Sequence, residues 1–154
     1  MSFVIDTNVL VVASDPTRDC SENCFDFLEK ILRNESVILI DEFFDKKRQN
    51  FCSEIEDEYK KNISSQDYAY WLLRKIFDRD PSSMICRIDV KKDEDENYSD
   101  FPSDLKKFDP NDKKFVAVAI ASEQNPEIVN AGDRGWKRHE AVLKKYVKLK
   151  FLCK

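Results

Sequence analysis

Short apolar runs alternate with stretches of helical spacing from one end of the chain to the other. Phe3-Val4-Ile5, bounded by polar residues, predicts a buried strand, and residues 9–13 continue as helix. Residues 21–32 set Phe25, Leu28, Ile31 and Leu32 at helical spacing behind Ser21, a good N-cap. Residues 37–40 read as a short strand rich in β-branched side chains. A polar helix is expected over 54–63 and a helix with an aromatic and aliphatic face over 68–77. The breaker Asp80-Pro81-Ser82-Ser83 precedes a strand at 85–90. A further helix starts near Pro110 and carries the apolar residues 115–121. Strand 127–130, helix 136–146 and a closing strand 147–152 complete the series. Strands separated by helices imply parallel crossovers. The pattern therefore predicts an α/β fold, a three-layer α/β/α sandwich with a mainly parallel central sheet.

A length of 154 residues suits one domain. The chain has only two glycines, Gly132 and Gly135, on either side of one turn. No glycine-rich phosphate loop exists, which removes P-loop and dinucleotide-binding functions. Residues 91–104 are polar and acidic and read as a surface loop, long enough to cover an active site. The net charge of −4 argues against a protein that coats a nucleic-acid duplex, though not against an enzyme acting on nucleic acid. No apolar stretch approaches a membrane span, and no leader pattern opens the chain. Five cysteines at irregular spacing are expected to be free thiols in a reducing, cytoplasmic compartment. Cys20 and Cys24 fall on one helical face, as zinc ligands would, but a structural zinc needs two more and His139 is the sole histidine. The cysteines therefore read as unrelated.

Acids stand where the predicted elements meet. Asp6 closes the first strand at the carboxyl edge of the sheet, where α/β folds place ligands; an Asp there also serves as an N-cap. In Glu54-Ile55-Glu56-Asp57-Glu58-Tyr59, Glu54 and Glu58 share a helical face. Their repulsion calls for a metal cation, or for Lys60, Lys61 or Arg48. In Phe108-Asp109-Pro110-Asn111-Asp112, Asp109 and Pro110 make a cap-then-proline helix start. Asp112 then sits in the first turn, favoured by the helix dipole or turned toward the sheet edge. Asp133 follows the strand 127–130, as a turn or cap residue or as a second carboxylate at the edge of Asp6. Carboxylates without neighbouring His or Cys suit Mg²⁺ or Mn²⁺ rather than zinc, and a shared cation resolves their mutual repulsion.

These segments together resemble the PIN-domain family of metal-dependent ribonucleases. The resemblance is carried by Phe3-Val4-Ile5-Asp6-Thr7-Asn8-Val9-Leu10, by Glu58-Tyr59, by Asp109-Pro110-Asn111-Asp112-Lys113-Lys114-Phe115-Val116-Ala117-Val118-Ala119 and by Val129-Asn130-Ala131-Gly132-Asp133-Arg134-Gly135-Trp136. The closing strand fits as well. The family implies a PIN-like fold with acids gathered at the carboxyl edge of a parallel sheet. It also implies an endoribonuclease that cuts single-stranded RNA with Mg²⁺ or Mn²⁺, acting as the toxin of a toxin–antitoxin pair or in RNA processing. Carried over residue by residue, Asp6, Glu58, Asp112 and Asp133 are the catalytic, metal-holding set, with Glu54 and Asp57 on nearby faces competing for the place of Glu58. Hydrolysis would leave a 3′-hydroxyl and a 5′-phosphate. The implied partners are single-stranded RNA, a protein inhibitor and a second copy in a homodimer, with no membrane.

Thr7 and Asn8 follow the first acid and are placed to orient it, when not simply capping or turning the chain. Lys113, Lys114, Arg134, Lys137 and Arg138 stand beside the acids, and the chain after Asp133 is rich in Lys and Arg, a candidate rim for substrate phosphates. Trp136 is a core anchor or a stacking platform for a base. The alternative function is a PIN-like binding module, inactive or dependent on a partner. A phosphohydrolase of the haloacid dehalogenase type also has an Asp after its first strand, but it needs a second Asp where this chain has Asn8.

Overall fold

The computed structural model describes residues 1–77 and 84–154; the expected breaker at 80–83 lies outside them. The chain runs β1 (Ser2–Ile5), α1 (Thr7–Ala13), α2 (Ser21–Arg33), β2 (Val37–Asp45), β3 (Asn50–Cys52), α3 (Glu54–Asn62), α4 (Tyr68–Phe77) and β4 (Ile85–Asp89). A 3₁₀ turn (Ser103–Leu105) follows, then α5 (Lys113–Ala121), β5 (Glu127–Asn130), α6 (Arg134–Arg138), α7 (Glu140–Leu143) and β6 (Lys148–Phe151). The result is an α/β fold with a mixed, mostly parallel six-stranded sheet flanked by helices.

β1 lies between β2 and β5 and is parallel to both, β4 pairs with β2, and β6 pairs with β5. The strand order therefore reverses at β1, and the carboxyl ends of β1 and β5 flank the crevice that open α/β sheets use for ligands. Phe3, Val4 and Ile5 are buried in succession, as expected of a strand covered on both faces. α5 is apolar around its whole circumference and packs against β1, β2, β4 and β5, so it is a core helix rather than an amphipathic surface one. This seating carries the start of α5, and with it Asp112, to the sheet edge.

Several boundaries differ from the sequence pattern for identifiable reasons. β2 runs on to Asp45 because its second half finds new partners: 38–42 pair with β4, and Phe43–Asp45 form an antiparallel hairpin with β3. The hairpin carries exposed Phe44 and Phe51 in edge-to-face contact, a pattern without core periodicity. Residues 109–112 form a turn, closed by Asn111 N–H donating to the Asp109 carboxylate at 2.9 Å, so α5 begins at Lys113 rather than near Pro110. Ser21 is the first helical residue, not the cap; Cys20 takes the cap position at φ 72°. The expected helix 136–146 is broken at His139. Its Nδ1 lies 3.0 Å from the Gly135 carbonyl, the acceptor a continuous helix would give to the His139 N–H, which donates instead to Trp136.

The expectation of unrelated free thiols fails for Cys20 and Cys153, which form a disulfide across 133 residues; Cys24, Cys52 and Cys86 are free. Nothing in the local spacing of these cysteines encodes that meeting. Among the described residues no helix is long and apolar enough to cross a membrane.

Candidate active site

Asp6 leaves β1 and caps α1. Its Oδ1 accepts from the Asn8 N–H at 3.0 Å, so the capping role is real. Its Oδ2 accepts from Asn130 Nδ2 at 2.9 Å. Asn130 ends β5 fully buried, and its Oδ1 in turn accepts from the N–H groups of Gly132 (2.7 Å) and Asp133 (2.9 Å). Asn8 closes the circuit by accepting from the Ala131 N–H at 3.0 Å. Two strand ends that are distant in sequence are thereby locked together, and Asp133 leads out of this turn to cap α6 through Gly135 N–H at 2.7 Å. Gly132 is required here. Its φ is 137°, and a Cβ would meet the Cys153 carbonyl at 3.2 Å.

Glu58 arrives on α3, and the position of α3 is set by a residue that sequence reasoning missed. Asp41, 1% exposed, accepts from Ser53 Oγ (2.6 Å), Glu54 N–H (2.8 Å) and Ile55 N–H (3.0 Å), satisfying the otherwise orphaned start of the helix. The signal was an acid directly after the predicted strand 37–40, the same pattern that marks Asp6. One turn further on, buried Tyr59 donates its hydroxyl proton to the Ile5 carbonyl, tying α3 to the end of β1. Glu58 then accepts from the Thr7 hydroxyl and, at 3.1 Å, from Lys114 Nζ.

The other acids of α3 are engaged elsewhere. Glu54 pairs with Lys92 at 2.7 Å, Glu56 with Lys60 and Arg87, and exposed Asp57 with Arg48 at 3.3 Å. The cations that relieve Glu54 and Glu58 are thus Lys92 and Lys114, not Lys60, Lys61 or Arg48. Lys114 is itself buried and also donates to the Asn111 carbonyl, so it belongs to the interior of the site. Removing its ammonium leaves Glu58 facing the other acids. Lys114→Met is expected to lower stability at neutral pH by about 1–3 kcal/mol, discounted because Glu58 is partly solvated. Urea denaturation reads this directly.

Electrostatics joins the four predicted acids. Burial pushes Asp6 up to about 7; the Asn8 N–H opposes this, and Asp112, Glu58 and Asp133 add to it. Burial also raises Asp112 to about 6, with Asp109, Asp133 and Glu58 raising it further and Lys114 working against them. Asp112 occupies the cap position of α5 but makes no side-chain cap bond, which leaves its carboxylate available. The donor set is hard oxygen from separate segments, the chemistry of Mg²⁺ or Mn²⁺. The carboxylates stand apart: among the described residues, no three acids bring ligand oxygens within 4.8 Å of one another.

The predicted cations sit at the start of α5 and along α6. Arg134 and Arg138 are exposed on α6, which starts at Asp133. Lys137 lies over the Phe151 ring at 5.8 Å, and Lys113 donates to the Lys106 carbonyl at 3.1 Å. Trp136 is 1% exposed and packs edge-to-face on Phe108, so it anchors the core and does not stack on a base. No family model, no curated protein and no solved structure matches this chain.

Proposed function

We propose that this chain is a PIN-like, three-layer α/β/α nuclease that hydrolyses phosphodiester bonds of single-stranded RNA with a divalent cation held by Asp6, Glu58, Asp112 and Asp133. The observation that carries the reading is that these acids, drawn from four separate segments, share one electrostatic neighbourhood at the reversal point of the sheet.

A bound Mg²⁺ or Mn²⁺ supplies Lewis acidity and a water activated near neutral pH. The chain's own residues do the rest. Asn8 and Asn130 hold the two oxygens of Asp6, and Thr7 and Lys114 hold Glu58, so the ligands keep their positions through the reaction. Burial raises Asp6 to about 7 and Asp112 to about 6, and a cation held between them would favour their charged forms. Arg134 and Arg138, with Lys137 beside them, offer positive charge to the phosphates flanking the scissile bond.

The wide spacing of the acids and the ion pair between Lys114 and Glu58 favour a second reading, a PIN-like binding module in which Lys114 replaces the metal. Calorimetric titration with Mn²⁺ separates the two. The nuclease reading expects binding that weakens at least about tenfold in Asp112→Asn; a wild-type chain that takes up no Mn²⁺ is the binding module.

A further inference from the structure

Three sulfurs from distant parts of the chain meet outside the acidic site. Cys20 precedes α2, Cys24 lies one turn into it, and Cys153 follows β6. Their Sγ atoms all lie within 4.8 Å of one another, and no other trio of His, Cys, Asp or Glu among the described residues converges as closely. Cys24 is fully buried and its Sγ is 4.0 Å from that of Cys153, while Cys20 and Cys153 are half-buried on the solvent side. Tetrahedral zinc with Zn–S bonds of about 2.3 Å holds its sulfurs about 3.8 Å apart. The Cys20–Cys24 pair lacked two further ligands in the sequence; the fold brings one of them from the other end of the chain.

We propose that Cys20, Cys24 and Cys153, when reduced, form a three-thiolate site for a thiophilic cation of the zinc class, and that the Cys20–Cys153 disulfide is the metal-free, oxidised state of that site. A dithiol reductant delivers two electrons and two protons, becoming a disulfide itself; the Cys20–Cys153 bond breaks and two thiols form. Cation binding then releases the thiol protons to solvent. The buried Cys24 sulfur lies 4.0 Å from that of Cys153, and coordination would deprotonate its thiol. The protein's own ligand set is these three thiolates: no fourth Cys, His, Asp or Glu joins the group among the described residues. Thiolate softness keeps Mg²⁺ and Mn²⁺ out, so this site and the acidic one select different ions. The centre clamps the start of α2 to the end of β6, with Cys153 pressed against Gly132.

Co²⁺ added to the full chain, with and without prior reduction by a phosphine under anaerobic conditions, tests this. The reduced wild type is expected to bind one Co²⁺ with thiolate-to-metal charge-transfer absorption and tetrahedral ligand-field bands, and to give it up to Zn²⁺. The disulfide form shows neither band. Cys24→Ser weakens binding by more than about 100-fold, while Cys52→Ser and Cys86→Ser leave it unchanged. If Cys24→Ser fails to fold, the comparison of reduced with oxidised wild type decides alone. Absence of the charge-transfer band in the reduced wild type, an equal band in the disulfide form, or full binding by folded Cys24→Ser overturns the proposal.

Discussion

Asp6→Asn is expected to make the metal-free chain more stable at pH 8 while removing the hydrolytic activity proposed for it. The folded chain holds Asp6 near 7 and the unfolded chain near 3.8. Between those values the native state binds the extra proton, so stability falls as pH rises, and the penalty is complete above about pH 7. A displacement of that size corresponds to about 4 kcal/mol. Asn carries no charge to desolvate and can still accept from the Asn8 N–H, but it cannot also accept from Asn130, a loss of about 1 kcal/mol. The expected gain is about 2–3 kcal/mol at pH 8, turning into a small loss at pH 4. Denaturant unfolding of both proteins at the two pH values reads it. Identical pH dependence in wild type and variant would show that Asp6 is not the strained group. Activity is expected to fall by at least about 100-fold, since a ligand is lost. Asn caps a helix as well as Asp does, so activity lost without loss of stability assigns the Asp6 carboxylate a role beyond capping.

Asp41→Ala is the most destabilising change expected around the site. Its carboxylate accepts three hydrogen bonds at 1% exposure, and truncation leaves Ser53 and the first N–H groups of α3 without their acceptor. Charge-assisted bonds of this kind and the orphaned donors together come to about 3–5 kcal/mol. α3 is held at its start by Asp41 and at Tyr59 by the Ile5 carbonyl, so the variant also loosens Glu58. Thermal denaturation should show the drop, and Mn²⁺ affinity should fall with it even though Asp41 is outside the four-acid set. Near-wild-type stability would mean that α3 is placed by packing alone.

What the sequence made legible follows from how local each signal was. β1, α4 and β5 carry unbroken apolar patterns and emerged where expected. Asp6 and Asp133 were visible because each follows a short buried strand. Glu58 could not be separated from Glu54 and Asp57 by helical spacing; what differs is their partners, Lys92 for Glu54, Arg48 for Asp57, and Thr7 and Lys114 for Glu58, which reach α3 from elsewhere in the chain. Asn130 looked like an ordinary strand terminus, yet its amide joins Asp6 to the Asp133 turn. The cysteine cluster was illegible for the same reason. Its third member stands 129 positions from Cys24, and only the seating of β6 beside β5 brings it back.

Cleavage of an end-labelled single-stranded RNA by the purified chain decides whether the four acids form a nuclease site. Fragments ending in 3′-hydroxyl and 5′-phosphate are expected when Mn²⁺ or Mg²⁺ is supplied, none when the cation is chelated, and none from Asp112→Asn assayed at matched folding. Cleavage that proceeds equally in Asp112→Asn, or a wild type that binds Mn²⁺ and leaves every RNA intact, would contradict the nuclease reading.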